Sequence, residues 1–165
     1  MIDKKLEFIK FILPHAIAAI GKQHGFLIRW GASKAAQECG WDLDNVLITR
    51  ANNCLGIKGG EFRDGRWLLF GVPIIYFQDS VADGQDDGRV PWRRFDSLDQ
   101  CFGEFVRMLN DRNPYHPWRE KAVLKFEEIY AARIHGHAIG VLEGIHEVTA
   151  TLEVAGLCDR KGRMK

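Results

Sequence analysis

Two short runs hold the residues whose types and spacing suit chemistry. In the first, Ala35-Ala36-Gln37-Glu38-Cys39-Gly40-Trp41, small residues deliver one glutamate beside a glycine and a tryptophan. A carboxyl held against an indole is disfavoured as an anion and keeps its proton near neutrality, as a general acid for a glycosidic oxygen must. In the second, Asn52-Asn53-Cys54-Leu55-Gly56-Ile57-Lys58, amide side chains and a glycine-permitted turn suit the grip of hydroxyl and acetamido groups. Together the runs imply cleavage of a bond between sugars.

The elements that must position these runs follow from periodicity. Leu6, Ile9, Leu13, Ala16, Ile17 and Ile20 recur at three- and four-residue steps and predict a first amphipathic helix. After a break at Gly21 to Gly25, a second helix is expected from Leu27 to Cys39, ended by Gly40, which puts Glu38 in its last turn. The negative end of the helix dipole there also disfavours a carboxylate. From Leu43 to Phe95 the glycines, aspartates and short β-branched or aromatic bursts predict antiparallel hairpins, with Asp64-Gly65 a turn signal. The polar run Ala82 to Gly88 reads as a solvated loop, since its aspartates lack the full calcium-loop pattern.

Helical spacing returns at Ser97. Ser97-Leu98-Asp99-Gln100 fits a capping box, and Leu98, Cys101, Phe102, Phe105, Val106 and Leu109 share one face. A further helix is expected after Pro117, through Val123, Phe126, Ile129 and Tyr130, and a last one from Ala138 through Val141, Leu142, Ile145, Val148 and Leu152. The basic tail from Arg160 to Lys165 is expected to fray. The reading is one α+β domain over 1–165, with a strand-rich insert at about 43–95.

Composition narrows the partners. The 165 residues are 46% hydrophobic and 27% charged with a formal net charge of +1, so no overall field favours nucleic acid or an anionic membrane. No apolar run predicts membrane insertion, and Glu7, Lys10, Pro14 and His15 interrupt the one N-terminal stretch that resembles an export signal. Cys39, Cys54, Cys101 and Cys158 lack zinc-site spacing and read as buried thiols, with a Cys39–Cys54 disulfide the alternative. His135, His137 and His146 have no acidic partner at ligand spacing, so no metal or cofactor is expected. Ser33, Ser80 and Ser97 lack the glycines of a nucleophile elbow. Trp30, Trp67, Trp92 and Trp118 suit either core packing or stacking on sugar faces.

The ordered motifs resemble the bacterial peptidoglycan β-N-acetylglucosaminidases of the lysozyme-like superfamily, the autolysin and flagellar-rod hydrolase type. The resemblance rests on Glu38-Cys39-Gly40-Trp41, on Asn52 through Lys58, and on Trp92-Arg93-Arg94-Phe95-Asp96-Ser97 just before a helix. It covers the first two thirds of the chain. It implies a lysozyme-like fold, mainly helical, in which a small antiparallel insert forms one wall of a cleft. It also implies hydrolysis of the β-1,4 bond between N-acetylglucosamine and N-acetylmuramic acid, with Glu38 as general acid and Trp41, Asn52, Asn53, Lys58 and Tyr76 as substrate-binding residues.

In that family a second carboxylate comes from the insert. Counting back from Trp92-Arg93 gives Asp79, counting from the other anchor gives Glu61, and Asp83, Asp86 and Asp87 follow. The family's C-terminal cleft tyrosine has no counterpart in Ala155 to Arg160, which leaves Tyr76, Tyr115 or Tyr130 to fill its place. A lytic transglycosylase of the same fold and a catalytically impaired wall-binding module are the alternatives. With no export signal in view, the expected site of action is the periplasm or cell wall, reached through a secretion apparatus, a phage particle or host machinery. A secreted antibacterial effector of this kind implies an immunity protein that plugs the cleft.

Overall fold

A computed structural model describes residues 2–78, 89–112 and 136–165. In chain order these form helices α1 (Ile2–Ile20), α2 (Gly25–Cys39) and α3 (Val46–Ala51), strands β1 (Gly60–Arg63), β2 (Arg66–Leu69), β3 (Ile74–Gln78) and β4 (Arg89–Arg93), then helices α4 (Leu98–Arg112) and α5 (Gly136–Val154). The mix is α+β, mainly helical, with two small antiparallel sheets. The helix expected after Pro117 and the loop at Ala82 to Gly88 lie outside the described residues.

Helix α2 is closely approached by its neighbours, and its small residues explain why. Ala32, Ser33, Ala35 and Ala36 are all buried, and α1 and α5 pack directly on the helix. A Cβ at Gly31 would lie 3.0 Å from the ring of Phe102 on α4, and one at Gly144 of α5 would run into Ser33 Oγ. Neighbours approach this closely only where side chains are short. Helix α1 packs on α2, α4 and α5 together, so its buried stripe is wider than the one expected: Phe8 and Ile12 are fully covered, while Leu6 and Ile17 are half-buried. One apolar cluster runs from Phe8 to Cys158, and each large side chain in it contributes about 1.5–3 kcal/mol by leaving water.

Helix ends follow local chemistry. Gly40 takes a left-handed φ of 64°, and Trp41 N–H donates to Ala36 O at 3.2 Å, so α2 stops where its carbonyls are satisfied. Ser97 Oγ accepts from Gln100 N at 3.1 Å, while the Gln100 side chain accepts from Asp96 N at 2.7 Å, one residue earlier than the usual box.

The strands form two hairpins. Asp64 and Gly65 both have positive φ, 53° and 76°, so the two-residue turn joining β1 to β2 has the twist that matches paired strands. Beside the β3–β4 pair, Arg93 N donates to Ile57 O and Gly59 N donates to Pro91 O, which adds residues 57–59 to the other edge of β4. Pro91 has no N–H to return to Gly59 O, and that carbonyl instead accepts from Phe70 N at 2.9 Å, which ties the first hairpin to the second. A Cβ at Gly59 would strike Ile74, and one at Gly60 would lie 2.7 Å from Leu68 O.

The C-terminal segment does not fray. Asp159 accepts from Lys161 N and Arg163 N, both at 2.9 Å, and from Arg163 Nε at 2.6 Å, and these bonds hold its carboxyl below the usual range. A bridge between Cys158 and Met164 closes the loop beside the start of α2.

Candidate active site

Glu38 and Gly56 bring the two chemistry-bearing runs together. Gly56 follows α3, at a φ of 62°, with the Glu38 carboxyl lying over its Cα. A Cβ there would overlap Glu38 Oε2 and sit 2.6 Å from its Cδ and 3.2 Å from its Cγ. Glycine is therefore required twice, by backbone conformation and by the carboxylate above it. The other carboxylate oxygen, Oε1, accepts from Lys34 Nζ at 3.0 Å, one helical turn back.

Asn53 builds the turn beneath. It is fully buried, donates Nδ2 to Ile57 O at 2.7 Å and Arg93 O at 2.8 Å, and accepts from Ile57 N at 2.9 Å. Its amide is spent inside the fold, where it builds a turn. Asn52 caps α3 at a φ of 48° and donates to Phe95 O at 3.1 Å, closing the same loop onto the chain before α4. Asn53 thus holds the Gly56 turn against β4, and Asn52 ties the end of α3 to the chain that follows β4.

The other candidate residues have the following surroundings. Trp41 does not sheathe Glu38. Its ring meets Phe8 edge-on at 5.7 Å, with Lys5 Nζ 5.1 Å from its centroid, while the Glu38 side chain is 33% exposed and ion-paired. The positive φ of Trp41, 58°, turns the chain away after Gly40. Glu61 is exposed on β1, and both its oxygens accept from Arg63 Nη2, at 3.0 and 3.1 Å. Tyr76 is exposed on β3 opposite Pro91. Lys58 holds its ammonium 5.6 Å from the Trp67 ring and 5.7 Å from the Trp92 ring. Asp79, Asp83, Asp86, Asp87, Tyr115 and Tyr130 lie outside the described residues.

Compared with solved structures, the chain is similar to the glycoside hydrolase domain of FlgJ from Salmonella typhimurium, at 16% identity and a TM-score of 0.60, over 92% of each chain. The fold is lysozyme-like. No protein-family model and no curated protein matches the sequence.

Residues that the motifs did not single out complete the surroundings. Glu104 of α4 is buried and bonds Arg93 Nη1 at 2.7 Å and Arg107 Nε at 2.8 Å, so β4 is pinned to the helical body. The guanidinium of Arg107 first, and that of Arg93 next, hold the Glu104 carboxyl below the usual range. Cys39, Cys54 and Cys101 are buried free thiols around the same turn; Cys39 Sγ donates to Cys54 O at 3.5 Å and Cys101 Sγ to Asn53 Oδ1 at 3.8 Å. Burial, with Glu38 nearby, pushes the Cys39 thiol up to about 12, and Cys101 and burial push Cys54 up as well. Among the described residues no group of three or more His, Cys, Asp or Glu has metal-holding geometry, and no helix is long and apolar enough to cross a membrane.

Proposed function

We propose that the protein is a glycoside hydrolase of peptidoglycan glycan strands, cutting the β-1,4 bond after N-acetylglucosamine, with Glu38 as the acid that protonates the leaving oxygen. The observation that carries this reading is the seat of the Glu38 carboxyl on Gly56, which joins the two motif runs in one place on a lysozyme-like fold. A general acid needs a fixed carboxyl at the end of a rigid element, within reach of a bond lying beside it, and the end of α2 offers that. Asp79, just past the end of β3, is the proposed second carboxylate, stabilising the oxocarbenium-like transition state or readying water. Lys58 and Tyr76 are the proposed sugar contacts on the strand side.

The test is Glu38→Gln, which keeps shape and removes the proton. Lysis of purified sacculi is expected to fall by at least about a hundredfold with the circular dichroism spectrum unchanged. Undiminished lysis by that variant overturns the assignment. Mass spectrometry of the wild-type digest reads the bond and the chemistry: reducing N-acetylglucosamine ends support hydrolysis, and anhydro-muramic ends convert the reading to a lytic transglycosylase.

A further inference from the structure

The β1–β2 hairpin carries an aromatic pair of which one ring lies outside the core. Phe62 on β1 and Trp67 on β2 are cross-strand partners whose ring centroids lie 5.3 Å apart at 61°, edge-on. Trp67 is half-buried and packs against the core, whereas Phe62 is 41% exposed. Lys58 Nζ stands 5.6 Å from the Trp67 ring and 5.7 Å from the Trp92 ring, so the indoles of β2 and β4 look onto one side of the strands. Alternation turns Glu61, Arg63 and Leu68 to the other side, where Arg63 Nη2 holds both Glu61 oxygens. Between Lys58 and Phe62 the intervening position on the indole side is Gly60, which contributes no side chain. Phe62 follows Gly56 by six positions, so its backbone lies within about 21 Å of the glycine beneath Glu38.

Resting on the reading of the protein as a hydrolase of wall glycan, we propose that Phe62, braced by Trp67, is a sugar-stacking residue: an N-acetylhexosamine of the bound strand lays the apolar face of its ring on the phenyl ring, at a distance from the bond that Glu38 protonates. A pyranose with equatorial substituents presents C–H bonds on its faces and hydroxyl and acetamido groups around its edge. It is held by an aromatic ring beneath it and a few polar groups beside it. The hairpin offers that combination. Trp67 fixes the phenyl ring in advance, so little side-chain freedom is lost when a sugar settles on it. Lys58 sets a positive charge next to the pair, the sign that suits the acetamido oxygens and carboxylates of a wall glycan. A protein partner would need a far broader apolar surface, about 800 Å² on each side. Among the exposed apolar residues of the hairpin, Phe62 shares its side with Leu69, while Leu68 and Phe70 fall on the reverse by alternation.

Titration of uncut strands separates binding from cleavage. Soluble glycan strands, freed of stem peptides with an amidase, are titrated calorimetrically into E38Q and into the same protein with a second change. E38Q/F62A is expected to bind about tenfold more weakly than E38Q. E38Q/F62L should bind nearly as weakly, because a branched alkyl group has no π face, and E38Q/F62Y as tightly as E38Q. E38Q/F70A, which loses an equally large ring, 61% exposed, from the reverse of the hairpin, should bind unchanged. In the active protein, F62A should raise KM for the same strands about tenfold and leave kcat within about twofold, a split that a displaced hairpin would not give. Equal affinity in E38Q and E38Q/F62A overturns the role of Phe62, as does equal weakening by F70A or the absence of any binding by E38Q. A change of oligomeric state in F62A on size-exclusion chromatography, with glycan affinity retained, also overturns it and assigns the ring to a contact between copies. Equal affinity together with lost lysis in E38Q spares the acid assignment, whereas full lysis by E38Q removes that assignment while the KM of F62A still reports on the ring.

Discussion

Gly56→Ala tests whether the Glu38 carboxyl rests where the structure puts it. Two costs add. An alanine at a φ of 62° is strained by about 1 kcal/mol. Its Cβ would also stand 2.6 Å from Glu38 Cδ, so the glutamate must leave its rotamer and give up Lys34, which adds about 0.5–2 kcal/mol. Gly65→Ala separates the two costs, since Gly65 has a φ of 76° and nothing within 4 Å of the added Cβ. Thermal unfolding should show G65A lower by about 2–4 °C and G56A by about 4–10 °C. In the double variant G56A/E38A the collision is gone, and the cost of G56A should fall to that of strain alone. Sacculus lysis by G56A should drop about a hundredfold, because an acid displaced by about 1 Å no longer reaches its oxygen. A coupling energy between the two sites below about 0.3 kcal/mol would refute the contact, since independent sites add within that margin.

Three further outcomes follow from the same geometry. Asn53→Ala leaves Ile57 N without its acceptor and takes one donor each from Ile57 O, which keeps Arg93 N, and from Arg93 O, and urea unfolding should report a loss of about 3 kcal/mol; a loss under about 1 kcal/mol would contradict the buried network. Because the Glu104 carboxyl is held below the ordinary glutamate range, the stability it contributes is present above about pH 4.3 and is lost as pH falls through the lowered folded value. E104Q should therefore flatten the acid limb of a stability profile, and an unchanged slope would count against the pairing. Cys39, Cys54 and Cys101, buried and with Cys39 pushed up to about 12, should resist an aromatic disulfide reagent in mildly alkaline buffer and react at once in guanidinium chloride. Rapid labelling of the native protein would contradict their burial.

Local signals were readable where one residue type answers one backbone need. Gly40 ends α2, Asp64-Gly65 makes the hairpin turn, and Ser97 caps α4, each as its chemistry dictates. The α2 run of small residues was visible too, though its cause, close approach by α4 and α5, appears only in three dimensions. What spacing does not reveal is where a polar group finds its partner. Asn53 reads like Asn52 in the sequence, yet one is sealed under the Gly56 turn and the other lies at its edge. Trp41 follows Glu38 by three residues, but the left-handed backbone at Gly40 and Trp41 sends the indole to Phe8 on α1. The tail from Arg160 looked like a free terminus because its anchor, Asp159, forms bonds that depend on the fold of the loop itself. Glu104 carried no motif, and its two arginines are brought to it by β4 and by the next turn of its own helix.

The join at Pro91 divides the molecule by stiffness. Helix α2 is packed by α1, α4 and α5, whereas the β1–β2 hairpin meets β4 at Gly59, whose N–H donates to Pro91 O and whose carbonyl accepts from Phe70 N, and through Lys58 between Trp67 and Trp92, and Phe62, Leu69 and Phe70 at its surface are exposed. Amide hydrogen exchange should accordingly be slowest along α2 and fast in β1 and β2. Glu38 then stands at the end of the stiff part, and any movement of the β1–β2 hairpin would have to bend at Gly59-Gly60, where Ile74 and Leu68 already crowd the backbone.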